Sequence, residues 1–319
     1  MKSWIARLAT FVAVAMFAVA AAGCGSDNKS SGGSSGGAST APSGQPGKGK
    51  SLVLGSKNFT EQFVLGQLYK QALEAKGFTV TYKKNLGSTE IADKALTSGQ
   101  INAYPEYIGI FLTTTAGDTK TYDTTEQAYA AANKFAQGRG QSLSTPTPFE
   151  DVDAIGVKKD FATKNGLTSV ADLKKLGGSL KLAGPPEFKT RFTGLVGLKK
   201  VYSVSPKFVP LAIGLQYKAL DTGKVDAADV FTTDGQLQGG KYVVLKDPKN
   251  IFGFQNVGMV TSKKASDAAG PAYAETVDAV SAKLTTEAMQ QMNAAVDIDK
   301  QDPAAVAKQF LQANGLLGG

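Results

Sequence analysis

The chain has no histidine and a single cysteine, Cys24, in 319 residues. The first absence removes the commonest general base and metal ligand, and the second leaves no internal disulfide and no thiolate chemistry beyond that one position. Zinc sites and serine triads are thereby excluded. No predicted strand is followed by G-x-G-x-x-G or by G-x-x-x-x-G-K-[ST], so a dinucleotide or P-loop nucleotide site has no support. After residue 23 no apolar run is long enough to span a bilayer. A repeat of fixed period is also lacking, which excludes a solenoid. The formal charge of +8 is scattered, without the basic stripe that a nucleic-acid partner requires.

What is present begins with an address. Lys2 and Arg7 make a basic start, Leu8 to Ala22 an apolar stretch, and Ala21-Ala22-Gly23 precedes Cys24, so residues 1–23 read as a signal peptide. Its loss removes two positive charges and no acid, leaving +6 of the +8. Two readings of Cys24 stand. Small residues directly before the only cysteine resemble the lipobox at which bacterial lipoproteins are acylated, with Ala21 where an aliphatic residue is more usual. The other reading is a plain signal peptide with a leftover thiol. A free thiol is a liability in an oxidising compartment and acylation accounts for it, so the expectation is a lipid-anchored, extracytoplasmic protein. Residues 24–50 then carry the anchor and a Gly/Ser-rich tether, whose coil reaches roughly 25–30 Å.

From residue 51 strands and helices alternate. Leu52 to Gly55 reads as a strand, Thr60 to Lys76 as a helix with Thr60 as N-cap, and Phe78, Val80 and Tyr82 as a second strand. A second helix opens near Ser88-Thr89 and stops at Gly99, a strand covers Ile101 to Tyr104, and Pro105 fits the first turn of a further helix. Strands are expected at 151–157, 180–184, 225–231 and 256–262, and helices at 170–178 and 214–220. Tyr273 to Asn293 and Pro303 to Asn314 read as two closing helices. The fold class is α/β, and the length suits two lobes.

Open α/β sheets bind ligands at the carboxyl ends of their strands. "GSKNFTEQ" (55–62) is the first such loop, where Lys57, Asn58 and Thr60 line a helix N-terminus that favours an anion. "LGST" (86–89) repeats the arrangement with the Thr89 hydroxyl. Arg191 offers a fork for a carboxylate, and Tyr107 and Phe231, next to strand ends, offer ring faces to a cation. Glu106, Glu150, Asp151, Asp153 and Asp234 are the acids available for paired-carboxylate chemistry, although capping or surface roles suit them better.

The blocks "GSKNFTEQFVLGQL", "NLGST", "INAYPEYIG", "PPEFKTRFTGL", "GLQYKALDTGKVDAADVFTTDG" and "MQQMNAAVD" with "VAKQFL" occur in one order over residues 51–315. In that order the sequence resembles the glycine betaine/choline-type substrate-binding proteins of osmoprotectant ABC importers. The resemblance implies a type II periplasmic-binding-protein fold: lobe 1 at 51–150 plus 257–319, lobe 2 at 151–256, and hinge crossings near 149–155 and 252–258. It also implies a monomer that serves an ABC permease and ATPase, with no enzymatic activity, cofactor, metal or nucleic acid.

For the site the resemblance implies a quaternary ammonium in an aromatic cage and a carboxylate held from the other side. Tyr107 keeps its ring. Asp153 stands where relatives carry a tyrosine, Phe231 replaces the tyrosine of "YSTDG" beside Thr233 and Asp234, and Phe254 or Gln255 stands near the last cage position. The ligand residues expected are Lys57, Asn58, Thr60, Thr89, Tyr107, Asp153, Arg191, Phe231, Thr233 and Asp234. An acid at 153 accepts hydrogen bonds that a trimethylammonium cannot donate. Two ligands therefore stand: a betaine or choline analogue, or another cationic or polyhydroxylated solute. The rival classes are a hydrolase using Asp153 and Asp234, and a sensor without a transport partner.

Overall fold

Each apolar strand of the alternating pattern is short, and ten of them sort into two five-stranded sheets in the computed structural model, which describes residues 44–317. The signal peptide, Cys24 and the tether to residue 43 lie outside the described residues. The strands are β1 (Ser51–Gly55), β2 (Thr79–Lys83), β3 (Ala103–Tyr107), β4 (Gln141–Leu143), β5 (Asp153–Lys158), β6 (Lys181–Gly184), β7 (Lys207–Pro210), β8 (Ala227–Phe231), β9 (Tyr242–Val244) and β10 (Val257–Ser262). The sheet orders are β2-β1-β3-β10-β4 and β7-β6-β8-β5-β9.

Both sheets follow one plan: three parallel strands, then an antiparallel strand borrowed across the molecule, then an edge strand antiparallel to that. The borrowed strands are β10 in the first sheet and β5 in the second. The chain thus crosses between the sheets twice, after β4 and after β9, and a bridge between Glu150 and Asn256 ties the two crossings together. This is the two-lobed α/β architecture that the sequence implied.

Helix α1 (Thr60–Ala75) shows why the first lobe is stable. Val64, Leu65, Leu68 and Ala72 are at most 1% exposed, and they pack on β1 and on the helices Pro271–Ser281 and Pro303–Ala313. The helix stops where Gly77 takes φ 89°, which costs a residue without Cβ little. On the other face of the same sheet, α2 (Thr89–Thr97) and Thr125–Gly138 cover a core of Ala92, Leu96, Ile101 and Phe111. The second sheet has its own two cores, one on Ile155, Leu182 and Ala227 and one on Ala228 and Val230.

Several expectations are corrected. Pro105 does not open a helix but lies inside β3, opposite Met259. The Ser262 N–H bonds the Asn102 carbonyl, and the Ile108 N–H bonds the Asn256 carbonyl. Even-numbered residues therefore face β10, and the missing N–H of Pro105 falls on the opposite edge, beyond the end of the β1 pairing at Ala103. Thr60 is not the cap of α1: Phe59 holds that place in extended conformation, without a side-chain cap bond. The first closing helix is two, Pro271–Ser281 and Thr286–Asp297. Fully buried Leu284 anchors the break, and the Thr285 hydroxyl accepts the Ala288 N–H to start the next helix. Residues 45–50 form a turn in which Gly47 is buried against the lobe, its N–H on the Lys76 carbonyl at 2.9 Å, rather than the end of a free tether. Gly44–Ser51 spells G-x-x-x-x-G-K-S, but β1 follows it, so the strand-loop-helix order of a phosphate loop is lacking.

Candidate functional site

The parallel strands of both sheets aim their carboxyl ends at one cleft. β1 and β3 bring Lys57, Phe59 and Tyr107 from the first lobe, while β8 and the start of β5 bring Asp229, Phe231 and Asp153 from the second. Asp153 and Phe231 face each other in the ladder, so the acid and the ring sit side by side.

On the first lobe the charges are already paired. Lys57, 4% exposed, donates to Glu106 Oε1 at 2.5 Å and to the Thr89 hydroxyl at 3.1 Å, and its Nζ lies 4.4 Å from the Tyr107 ring centroid. Burial pulls the ammonium below the ordinary lysine range, and Glu106 opposes that. Two expected ligand residues, Lys57 and Thr89, are thus brought together but bind each other. Glu61, in the first turn of α1, is buried too. It accepts hydrogen bonds from the Tyr107 hydroxyl at 2.8 Å, the Thr233 hydroxyl at 2.6 Å and Asn293 Nδ2 at 2.9 Å.

The Thr233 hydroxyl also lies 2.6 Å from Asp151 Oδ1. A hydroxyl has one hydrogen to give, so one of the two carboxyls keeps its proton and donates to Thr233. Burial pushes both Glu61 and Asp151 above the usual carboxylate range, with Glu61 raising Asp151 further. This group joins α1, the hinge and the turn after β8. Gln290 Nε2 and Asn293 Nδ2 add bonds to the Thr232 and Thr233 carbonyls, at 3.0 and 3.1 Å. A Cβ on Gly235 would fall 2.6 Å from Ala294 Cα, so the turn and the helix touch backbone to backbone.

Rings cross the cleft. Phe59 stacks on Phe231 with centroids 5.5 Å apart at 11°, and on Tyr107 at 6.0 Å and 26°. Phe59 was not singled out from the sequence, although it lies inside "GSKNFTEQ". As the extended residue that caps α1, it points out of the helix into the cleft.

The remaining residues divide. Asn58 is exposed and lines the cleft. Arg191 lines it too, but its fork is taken by Glu90 of α2, with Nη2 to Oε2 at 2.9 Å and Nε to Oε1 at 3.3 Å. Burial pushes the Glu90 carboxyl up, and the Arg191 hydrogen bond and charge overcome it, holding the group at about 2. Thr60 points away and donates to Asp297 Oδ1 at 2.5 Å. Asp234 accepts the Phe231 N–H at 3.0 Å and the Tyr217 hydroxyl at 2.7 Å, closing the turn after β8. Burial pushes it up to about 7. Gln255 is fully buried, accepts the Ile110 N–H and donates to the Phe252 carbonyl, so it braces the hinge, and Phe254 packs on the first lobe away from the cleft.

Three acids of the cavity wall, Asp153, Glu187 and Asp229, stay without a side-chain partner among the described residues. Asp153 is partly buried in the cleft wall, where burial lifts its carboxyl to about 6 against the pull of Arg191 and Lys57. Asp229, fully buried, has neither carboxylate oxygen bonded among the described residues. Ring faces and unpaired acids in one cleft suit a small organic cation.

Residues 50–313 match the family model described as the substrate binding domain of ABC-type glycine betaine transport systems. The glycine-betaine-binding protein of Pseudomonas aeruginosa is 32% identical over 280 residues, covering 84% of this chain and 89% of that relative. The glycine betaine-binding protein YehZ of Escherichia coli is 30% identical, covering 83% and 90%. Among solved structures, that of a glycine betaine/carnitine/choline ABC transporter superposes with a TM-score of 0.68 at 27% identity, over 83% of this chain and 99% of the other.

Proposed function

The chain belongs to the family of substrate-binding domains of ABC-type glycine betaine transport systems, and on that premise we propose that it captures a small organic cation of the glycine betaine, choline and carnitine kind and delivers it to a membrane permease powered by an ATPase. Members of this family bind and hand over a solute, and the chain is not an enzyme. The observation that carries the ligand class is the run of rings Tyr107, Phe59 and Phe231 across the cleft, with Asp153 beside Phe231. A ring face is worth about 0.5–2 kcal/mol to a cation, so three rings give about 1.5–6 kcal/mol and need a carboxylate beside them to approach the roughly 8 kcal/mol of a micromolar complex. Asn58, at the cavity wall, serves a ligand carboxylate or hydroxyl, whereas Arg191 of the same wall is held by Glu90. Lys57, Thr89, Thr233 and Asp234 shape the wall, and Thr60 acts from outside it.

The N-terminus supports a lipid anchor: a signal peptide over 1–23, acylation at Cys24 and a tether, followed by a monomer with lobe 1 at 51–150 plus 257–319 and lobe 2 at 151–256. Replacing Cys24 by alanine is expected to move the protein from the membrane fraction to the soluble one. Calorimetric titration with glycine betaine, choline and carnitine tests the ligand class. Micromolar binding of at least one is expected, and no heat from a folded sample with any of the three overturns the fully methylated ligand class.

A further inference from the structure

Asp229 lies on the same face of β8 as Phe231, two residues before it, and both line the cleft with Asp153. Its carboxyl is fully buried, yet both oxygens lack a partner among the described residues. An ionised carboxylate in that position is desolvated without compensation, and a protonated one still leaves a donor and an acceptor unmet. The cations that line the same cavity are committed elsewhere, Lys57 to Glu106 and Arg191 to Glu90. Gly184 of β6 keeps the space open, because a Cβ there would come within 3.3 Å of Asp229 Cβ and of the Phe188 ring.

We propose that Asp229 is the specificity-determining acceptor of the cleft, and that the ligand's cationic nitrogen carries at least one hydrogen, which Asp229 receives. This rests on the transport reading above and keeps its cation-binding role, but replaces the fully methylated nitrogen of glycine betaine, choline and carnitine by one that retains a hydrogen. A fully methylated nitrogen offers the rings its charge but has no hydrogen for a carboxylate. A dimethyl- or monomethylammonium offers both, and so does an imidazolium or guanidinium of similar size. The nitrogen then lies between Phe231 and the two acids, with Asp153 supplying a second negative charge. Burial first, and then the neighbouring Asp153 and Asp234, push the Asp229 carboxyl well above its ordinary range, so a cation that pairs with it must also drive off its proton.

The test is a methylation series titrated into the full chain by calorimetry: glycine betaine, N,N-dimethylglycine and sarcosine, then choline and N,N-dimethylethanolamine. The dimethyl members are expected to bind about tenfold more tightly than the trimethyl ones, the usual size of a charge-assisted hydrogen bond. Asp229→Asn is expected to reduce that preference to within about twofold. The wild-type series alone is decisive where the variant does not fold: equal or tighter binding of the trimethyl members overturns the proposal. So does a preference that survives in a folded Asp229→Asn protein. Either result leaves the transport reading intact, whereas a folded wild-type chain that binds no member of either series overturns both.

Discussion

The two walls of the cleft are built from similar residues and have opposite electrostatics. On the first lobe, Lys57 and Glu106 neutralise each other, and Glu61 collects three donors. On the second lobe, Asp153, Glu187 and Asp229 have no such partner among the described residues. Where each charge has its partner, the wall is scaffold, and removing one member leaves the other stranded. Where acids are left over, the wall offers negative charge to the cation proposed above. The contrast separates residues that hold the cleft from residues that read the ligand.

The largest expected effect comes from breaking the paired wall. Lys57→Met strands Glu106, which is fully buried, and is expected to cost about 3–5 kcal/mol in urea unfolding. Asp229→Asn, on the unpaired wall, is expected to leave stability unchanged or raise it. A comparable loss in both variants contradicts the contrast. Next come the rings: Phe231→Ala is expected to weaken binding about tenfold or more with little change in fold, and Phe59→Ala to weaken it similarly, because one ring face is lost in each. Unchanged affinity in both variants removes the rings from the site.

The pH dependence is smaller. Burial raises Asp153 to about 6 and Asp234 to about 7, so the folded protein holds protons that the unfolded chain releases near 4. Their contribution to stability is present below that value and fades as pH rises through 6 and 7. The melting temperature is expected to fall between pH 5 and 8, and to fall less in Asp234→Asn. A rise over that range contradicts the assignment. The smallest effect belongs to the cross-lobe pair: Glu90 is nearly half exposed, so Glu90→Gln is expected to cost about 0–1 kcal/mol and to matter less in high salt. Scattering profiles with and without added salt check whether it holds the lobes together.

Much of the fold was legible because local signals agreed with the final structure. Gly77 and Gly99 end α1 and α2 as their position after an apolar stripe suggests, and the loops that reach the cleft follow strands. Pro105 misled because a proline after a short apolar run reads as a helix start, and only the pairing with β10 shows that its edge needs no N–H. Leu284 keeps the apolar period running through a helix break, so 273–293 read as one element.

The site was legible in its loops and not in its pairings. Lys57 and Thr89 were found by position, but that they bind each other depends on β3 bringing Glu106 beneath them. Arg191 was read as a ligand fork because nothing in its own segment announces Glu90, 101 residues earlier. Phe59 and Glu61 lay in the stretch singled out and were absorbed into helix capping. Asp229 had one usable cue, its i to i+2 relation to Phe231, but β8 is buried on both faces and shows no alternation to mark the direction.

Positive charge is the property by which the cleft is proposed to select its ligand. The most direct measurement is titration of the wild-type chain with choline and with its neutral isostere, 3,3-dimethylbutan-1-ol, which keeps the shape and removes the charge. Choline is expected to bind, and the neutral alcohol to bind about a hundredfold more weakly or not at all. Equal affinity for the two contradicts it, because rings and shape alone then explain the binding and the unpaired acids of the second lobe have no part in it.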